Sequence, residues 1–346
     1  MATRRGASTI ALTAGSTIAG FACVGGKLEG EGPLRSGFCQ IFPDARAGQE
    51  RWEQAEIEMH KSALRLALRD AGRAARDVDL FFGGDLLNQC MATSFSLRDM
   101  DMPLAGLYGA CSTFALALGM AALAIDGGGA RRTMAAASSH FCSAEKQFRF
   151  PLEFGGQIPP SAQRTATAAG AVLLDAAPAA ARRPIRVSAV TVGRVRDLGV
   201  TDANNMGAAM APAACDTLCR FWADTGTEPA DFDWILTGDL GQVGSRLLRE
   251  LLQAELGPEK TAAFADAHRD GGLLLYDLDR QEVAAGGSGT GCSAAVLCAK
   301  VLPEMEAGRL RRVLFVGTGA LLSVVSPLQG ESIPGVAHAV ELQAES

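Results

Sequence analysis

The sequence predicts a layered α/β fold made of two pseudo-symmetric halves, and three observations carry that expectation. First, the chain repeats itself. Asp79-Leu80-Phe81-Phe82-Gly83-Gly84-Asp85-Leu86 returns as Asp233-Trp234-Ile235-Leu236-Thr237-Gly238-Asp239-Leu240, and Cys111-Ser112 returns as Cys292-Ser293. The repeats keep their order: Arg131-Arg132 follow Cys111 by 20 residues, and Arg311-Arg312 follow Cys292 by 19. Second, strand-like apolar runs alternate with helical patterns, as in sheets covered by helices. Third, residues 112–125 are apolar on every side, and a helix without a polar face belongs in the centre of a molecule. Together these predict five layers, αβαβα, with two sheets enclosing central helices, and halves at residues 1–180 and 181–346.

Taken in order, the N-terminal stretch after Arg4-Arg5 is broken by Gly15, Ser16, Thr17 and Gly20. It reads as a first strand with its turns rather than an export signal. Residues 50–71 place Trp52, Ala55, Met59, Ala63, Leu66 and Ala67 at helical spacing, with Gly72 as the stop. Residues 78–83 form a continuous apolar run, the mark of a strand covered on both faces. The central helix over 112–125 ends at Gly127-Gly128-Gly129, and residues 133–137 follow as a buried strand. The second half repeats the pattern, with strands at 234–237 and 314–317 and helices at 245–256 and 293–305.

Bulk composition narrows the function. The chain has 346 residues, 48% hydrophobic and 20% charged, enough for a large core. A net charge of −6 without a polybasic run argues against nucleic acid as a partner. The longest apolar run, residues 115–125, is well short of the roughly 20 residues a spanning helix needs. The nine Cys are scattered, with no CxxC pair, so they read as reduced thiols without a metal site.

Cys111 is the residue that most demands a role. A Gly-bracketed Cys at the head of an apolar helix sits where the helix dipole and free N–H groups stabilise a thiolate or bind a carboxylate. It reads as an activated nucleophile, as a packed thiol, or as part of a ligand pocket. His140 ends a buried strand, where α/β sites gather. Arg149 suits a ligand carboxylate through two parallel hydrogen bonds, or pairs with Glu145 or Glu153. Asp85 and Asp239 end equivalent strands, as symmetric caps or as groups facing a pocket. His60 and His268 read as surface residues. Residues 155–160, with Gly-Gly and Pro-Pro, read as a loop over the pocket mouth.

A Cys-headed central helix in a duplicated five-layer fold resembles the thiolase superfamily of condensing enzymes. The closer resemblance is to the stage V sporulation protein AD family of endospore formers. It is carried by Gly84-Asp85-Leu86-Leu87-Asn88-Gln89, Tyr108-Gly109-Ala110-Cys111-Ser112-Thr113, Ser138-Ser139-His140 and residues 147–157. Residues 197–202, Met206-Gly207, residues 209–212, Leu236-Thr237-Gly238-Asp239-Leu240, residues 285–289 and residues 317–323 carry it further. One departure is Asn204-Asn205 before Met206, where the family pattern leads one to expect an Asp.

The resemblance implies a non-catalytic protein that binds dipicolinic acid (pyridine-2,6-dicarboxylate), alone or as its calcium chelate, for uptake into the developing spore. It implies partnership with other stage V proteins at the spore inner membrane, a peripheral location in the forespore, and a homodimer formed through residues 133–137. No cofactor is implied. Cys111, His140, Arg149, Asp85, Asn88, Gln157 and Asp239 are the ligand-binding candidates. Condensing enzymes of the superfamily use His, or His with Asn, from the second half as base and hydrogen-bond donors. Here those positions read Thr237-Gly238-Asp239 and Gly286-Gly287-Ser288. A carboxylate beside a thiolate and an enolate would repel both. The alternative is a Cys111-dependent acyltransferase or condensing enzyme with unorthodox helpers.

Overall fold

The computed structural model describes residues 2–148, 158–177 and 182–345. The strands of the first half are β1 (Thr17–Gly25), β2 (Leu80–Gly84), β3 (Leu104–Gly106), β4 (Arg132–Ser139) and β5 (Ala168–Asp175). Those of the second half are β6 (Ile185–Thr191), β7 (Trp234–Thr237), β8 (His268–Asp270), β9 (Arg312–Ala320) and β10 (Gly335–Ala344). Hydrogen bonding orders them β3-β2-β4-β5-β1 and β8-β7-β9-β10-β6, so adding five to each strand of the first half generates the second. An antiparallel pair, Thr17 with Arg186, joins β1 of the first half to β6 of the second.

The registers are duplicated too. β2 lies parallel to β4 with Leu80 opposite Thr133, and β7 lies parallel to β9 with Trp234 opposite Val313. β1 carries a bulge between Ile18 and Gly20, and β6 carries one between Val187 and Ala189. The repeated Asp and Arg pairs explain why. Asp79 accepts hydrogen bonds from the N–H groups of Arg131 and Arg132, and Asp233 does the same for Arg311 and Arg312. Arg132 then donates to Asp175, and Arg312 to Glu341, each at 2.6 Å. A carboxylate at the start of one strand thus sets the register of its neighbour in both halves.

The helices are α1 (Trp52–Asp70), α2 (Met91–Leu97), α3 (Thr113–Asp126), α4 (Phe141–Phe148) and α5 (Met206–Thr225). They continue with α6 (Gly241–Leu256), α7 (Pro258–Ala267), α8 (Gly271–Leu275) and α9 (Thr290–Val296). α1 covers β1, β4 and β5 from outside, while α5 covers β9 and β10 with α6 packed on it. α3 lies between the sheets, touching β2 and β4 on one side and β9 and β10 on the other. α9 lies beside α3 against β4 and β5. The close fit needs glycine on the sheets: a Cβ at Gly317 would stand 2.5 Å from the Ala115 Cβ, and one at Gly170 would stand 2.8 Å from the Ala294 Cβ.

Several expectations are corrected. The helix expected over 293–305 is three pieces: α9, a wide π turn over Leu297–Val301, and a last turn at Leu302–Glu306. Pro303 has no N–H and crowds the carbonyl four residues back, and the wider turn relieves that clash. Residues 133–137 lie inside β4, paired on both sides by β2 and β5, so a second copy cannot add there. The edge strand of that sheet is β3. The N-terminus begins with a hairpin, Thr3–Arg5 with Thr9–Ala11, whose second strand pairs with β6 of the other half.

His60 is enclosed rather than at the surface, and His268 is half-buried. α2 covers His60, whose Nδ1 lies 2.8 Å from the Ser96 hydroxyl and whose ring meets Phe81 edge-on. His268 stacks on Phe264 of α7, 4.7 Å between ring centres, and its Nε2 lies 2.8 Å from the Thr237 hydroxyl. Burial pushes both imidazoles down to about 3, so they are neutral at ordinary pH.

Candidate functional site

Cys111 precedes α3 and lies beneath a small pocket lined by residues of both halves. Ala110 reaches a φ of 50° to present it, an uncommon conformation for a side-chain-bearing residue and one that concentrates at functional turns. Apolar walls come from Leu86, Met206, Ala320, Leu322 and Val324. Polar groups come from Asn88, Tyr108, Gln147, Thr165, Ser288 and Ser323. The Thr165 hydroxyl is buried and has no partner among the described residues.

The Asp239 carboxylate neighbours the Cys111 thiol. Burial, reinforced by the charge of Asp239, pushes the thiol well above its ordinary range. Asp239 accepts from the N–H of Gly289 at 2.7 Å and from the Thr318 hydroxyl at 2.8 Å. Burial raises its carboxyl to about 7. The strand-end carboxylate therefore ties β7 to β9 and to the turn before α9, and its charge beside Cys111 disfavours the thiolate.

The helix end itself is not an open anion seat. The N–H groups of Ser112, Thr113 and Phe114 already bond to Gly109 O, Ala110 O and the Thr290 hydroxyl. The sequence reading of free first-turn donors is corrected accordingly: the tight turn and α9 fill them.

The other candidates divide. Asn88 reaches the pocket mouth beside Cys111. Asp85 turns away from it and accepts from Leu87 N, Thr93 N and the Thr93 hydroxyl, capping α2. Asp239 lies below Cys111 and does not line the pocket. His140 is held between Ala45 O, 2.7 Å from its Nε2, and the N–H of Cys142, which donates to Nδ1. Arg149, Gln157 and residues 155–157 of the expected mouth loop lie outside the described residues. Asn205 caps α5, its Oδ1 accepting from Ala208 N, and so places Met206 at the pocket.

Sequence reasoning missed Thr165 and Ser288. They come together because a two-residue strand at Arg164–Thr165 pairs in parallel with Gly287–Ser288 from the other half. It also left His338 without a role. That imidazole, lowered by burial to about 4, accepts from Gly193 N behind the Cys111 turn. A Cβ on Gly109 would stand 3.6 Å from its Nε2.

The architecture and this Cys-headed helix define a protein of the thiolase-like, condensing-enzyme fold. The structure is similar to 3-oxoacyl-[acyl-carrier-protein] synthase III from Aquifex aeolicus VF5, with a TM-score of 0.55, 13% identity, and 95% and 99% of the two chains covered. It is similar to cerulenin-bound OleA from Xanthomonas campestris, with a TM-score of 0.58, 14% identity, and 95% and 98% covered. Within that fold, the chain belongs to the family of stage V sporulation protein AD, whose pattern matches residues 6–343. It is 42% identical over 315 residues to stage V sporulation protein AD of Bacillus subtilis (strain 168), covering 91% of this chain and 90% of that one. It is a sporulation protein, and among its described residues no helix is long and apolar enough to cross a membrane.

Proposed function

We propose that the protein binds dipicolinic acid, alone or as its calcium chelate, in the Cys111 pocket during its uptake into the forming spore, and that it does so without catalysis. One observation carries this reading: burial and the neighbouring Asp239 carboxylate push the thiol at the position of a condensing nucleophile well above its ordinary range. A nucleophilic Cys needs a base or a lowered pKa, and the environment of Cys111 acts in the opposite direction.

The pocket suits a flat aromatic dicarboxylate. Leu86, Met206 and Leu322 offer apolar faces to a ring, and Thr165, Ser288 and Asn88 offer neutral donors to carboxylate oxygens. Hand-over to other stage V proteins at the inner membrane, and assembly as a homodimer, belong to the same reading.

Titration calorimetry with dipicolinic acid, with and without calcium, tests it. Binding is expected in one or both conditions and should survive Cys111→Ser. No heat at millimolar ligand in either condition would overturn the proposal. Incubation with acyl-CoA followed by intact-mass analysis is the complementary test. A covalent adduct lost in Cys111→Ser would favour an acyl-transferring enzyme instead.

A further inference from the structure

We propose that Glu145 is a positioning residue for the Cys111 pocket: from α4 it fixes the short cross-half strand pair that carries Thr165 and Ser288 to the pocket wall. The inference rests on the reading of that pocket as the ligand site. Glu145 is fully buried, and its Oε1 accepts the N–H of Thr165 at 2.9 Å. Thr165 and Ser288, equally buried, both line the pocket.

Strand geometry explains why a side chain is needed there. In the pair of Arg164–Thr165 with Gly287–Ser288, the N–H groups of Arg164 and Ala166 donate to Gly286 O and Ser288 O. Successive N–H groups of a strand face opposite ways, so the Thr165 N–H between them points away from the partner strand. A buried peptide N–H without an acceptor is costly. A carboxylate oxygen on the facing helix supplies that acceptor, and with it a fixed distance between α4 and the strand.

α4 is itself wedged in place. Towards α1, Ser143 donates to Glu56 Oε2 at 2.6 Å, and Lys146 pairs with Glu53. Towards the short strand it presents Phe141 and Glu145, which stand four residues apart and so share a helix face. The Arg164 guanidinium lies 3.9 Å from the centre of the Phe141 ring, and the Phe141 N–H donates to the Thr167 hydroxyl at 3.2 Å. The same helix carries Gln147 to the pocket. Just before Thr165, the Gln163 side-chain amide donates to Gly287 O at 2.9 Å and to Asp239 O. Glu145 thus couples α1 and α4 to the pocket wall and to the residue that stands beside Cys111.

The test compares Glu145→Gln, Glu145→Asp and Glu145→Ala with the parent chain through two readouts. The first needs no ligand: the rate at which N-ethylmaleimide labels Cys111, read by peptide mapping. The second is the affinity for dipicolinic acid by titration calorimetry. Glu145→Gln keeps an acceptor oxygen for Thr165 and should match the parent in both. Glu145→Ala should label Cys111 at least about threefold faster and weaken the ligand roughly fivefold, the scale of one lost hydrogen bond. Glu145→Asp is one methylene too short to reach Thr165; it should shift both readouts the same way and decides the matter if the alanine variant does not fold. Glu341→Ala removes a buried carboxylate that holds Arg312 outside the pocket. That variant should lose thermal stability with both readouts at the parent values. Unchanged Cys111 labelling in Glu145→Ala and Glu145→Asp, with stability alone reduced, would overturn the proposal. A parent chain that binds no dipicolinic acid would sink the ligand reading alone, and the labelling rates would then decide the role of Glu145.

Discussion

The two halves share a strand order, a pair of bulges and a set of Asp–Arg clamps, yet of their two Cys-bearing helix heads Cys111 lines a pocket while Cys292 is sealed. In the first half, Tyr108 and Ala110 lift Cys111 to a cavity walled by residues of both halves. In the second, Gly289 (φ 103°) enters α9 directly, and Cys292 is sealed against β4 and β5 with no exposure. A duplicated frame therefore supplies two equivalent helix heads, and local packing decides which becomes a site. The strand-end carboxylates differ in the same way. Asp85 serves its own half, capping α2, while Asp239 reaches across to the Cys of the other half.

The largest expected effect tests whether these two Asp are equivalent supports. Both are buried; Asp85 accepts three hydrogen bonds and Asp239 two, so Asp85→Ala and Asp239→Ala each orphan buried donors. Each should cost about 3 kcal/mol or more in urea unfolding. If Asp239→Ala left stability nearly unchanged but removed dipicolinate binding, Asp239 would be a ligand-facing group and the symmetry would be broken.

Much of this frame was legible in the chain. The Asp79 and Asp233 motifs and the Arg pairs mark the register clamps, because a carboxylate bonding two successive N–H groups needs a fixed spacing. The central helix, apolar on every side, marked the layer it occupies. The pocket was harder to read. Thr165 and Ser288 are 123 residues apart and meet only through a two-residue strand pair, which has no local pattern. His60 and His268 looked exposed because each sits on an amphipathic or polar stretch, and only tertiary packing, α2 over His60 and α7 beside His268, encloses the first and half-covers the second. The helix-end donors of α3 looked free because their acceptors lie in a tight turn and in α9, which sequence spacing does not reveal.

A second difference between the halves concerns buried carboxylates. Glu56 of α1 accepts from the Ser138 and Ser143 hydroxyls, close to Asp85, and burial with that neighbouring charge raises it to about 8. In the second half, Asp270 accepts from Thr237, Leu240 and Gly241 and is raised by burial to about 6. A raised acid contributes stability that is complete below its ordinary range and is lost as pH rises through the folded value. Glu56→Gln removes this loss. The variant should therefore gain on the parent progressively from about pH 5 to about pH 8, by ~1–3 kcal/mol in unfolding free energy. Asp270→Asn should show a smaller gain that ends near pH 6. Equal pH profiles for the two variants would mean that the halves bury their carboxylates alike.

The smallest effect separates the two cysteines themselves. A serine at position 111 would stand beside the Asp239 carboxylate with a hydroxyl to donate, so Cys111→Ser should change stability by no more than about 0.5 kcal/mol. A serine at position 292 would place a hydroxyl in a fully buried position packed by Gly287 and Tyr276, at a cost of about 1–3 kcal/mol. Thermal unfolding of the two variants side by side reads the difference directly. The opposite order would mean that Cys111 is the better-packed thiol and that the pocket above it closes in solution. In the expected order, the tolerance of position 111 follows from the feature that makes it a site: a polar partner beneath it and an open face above.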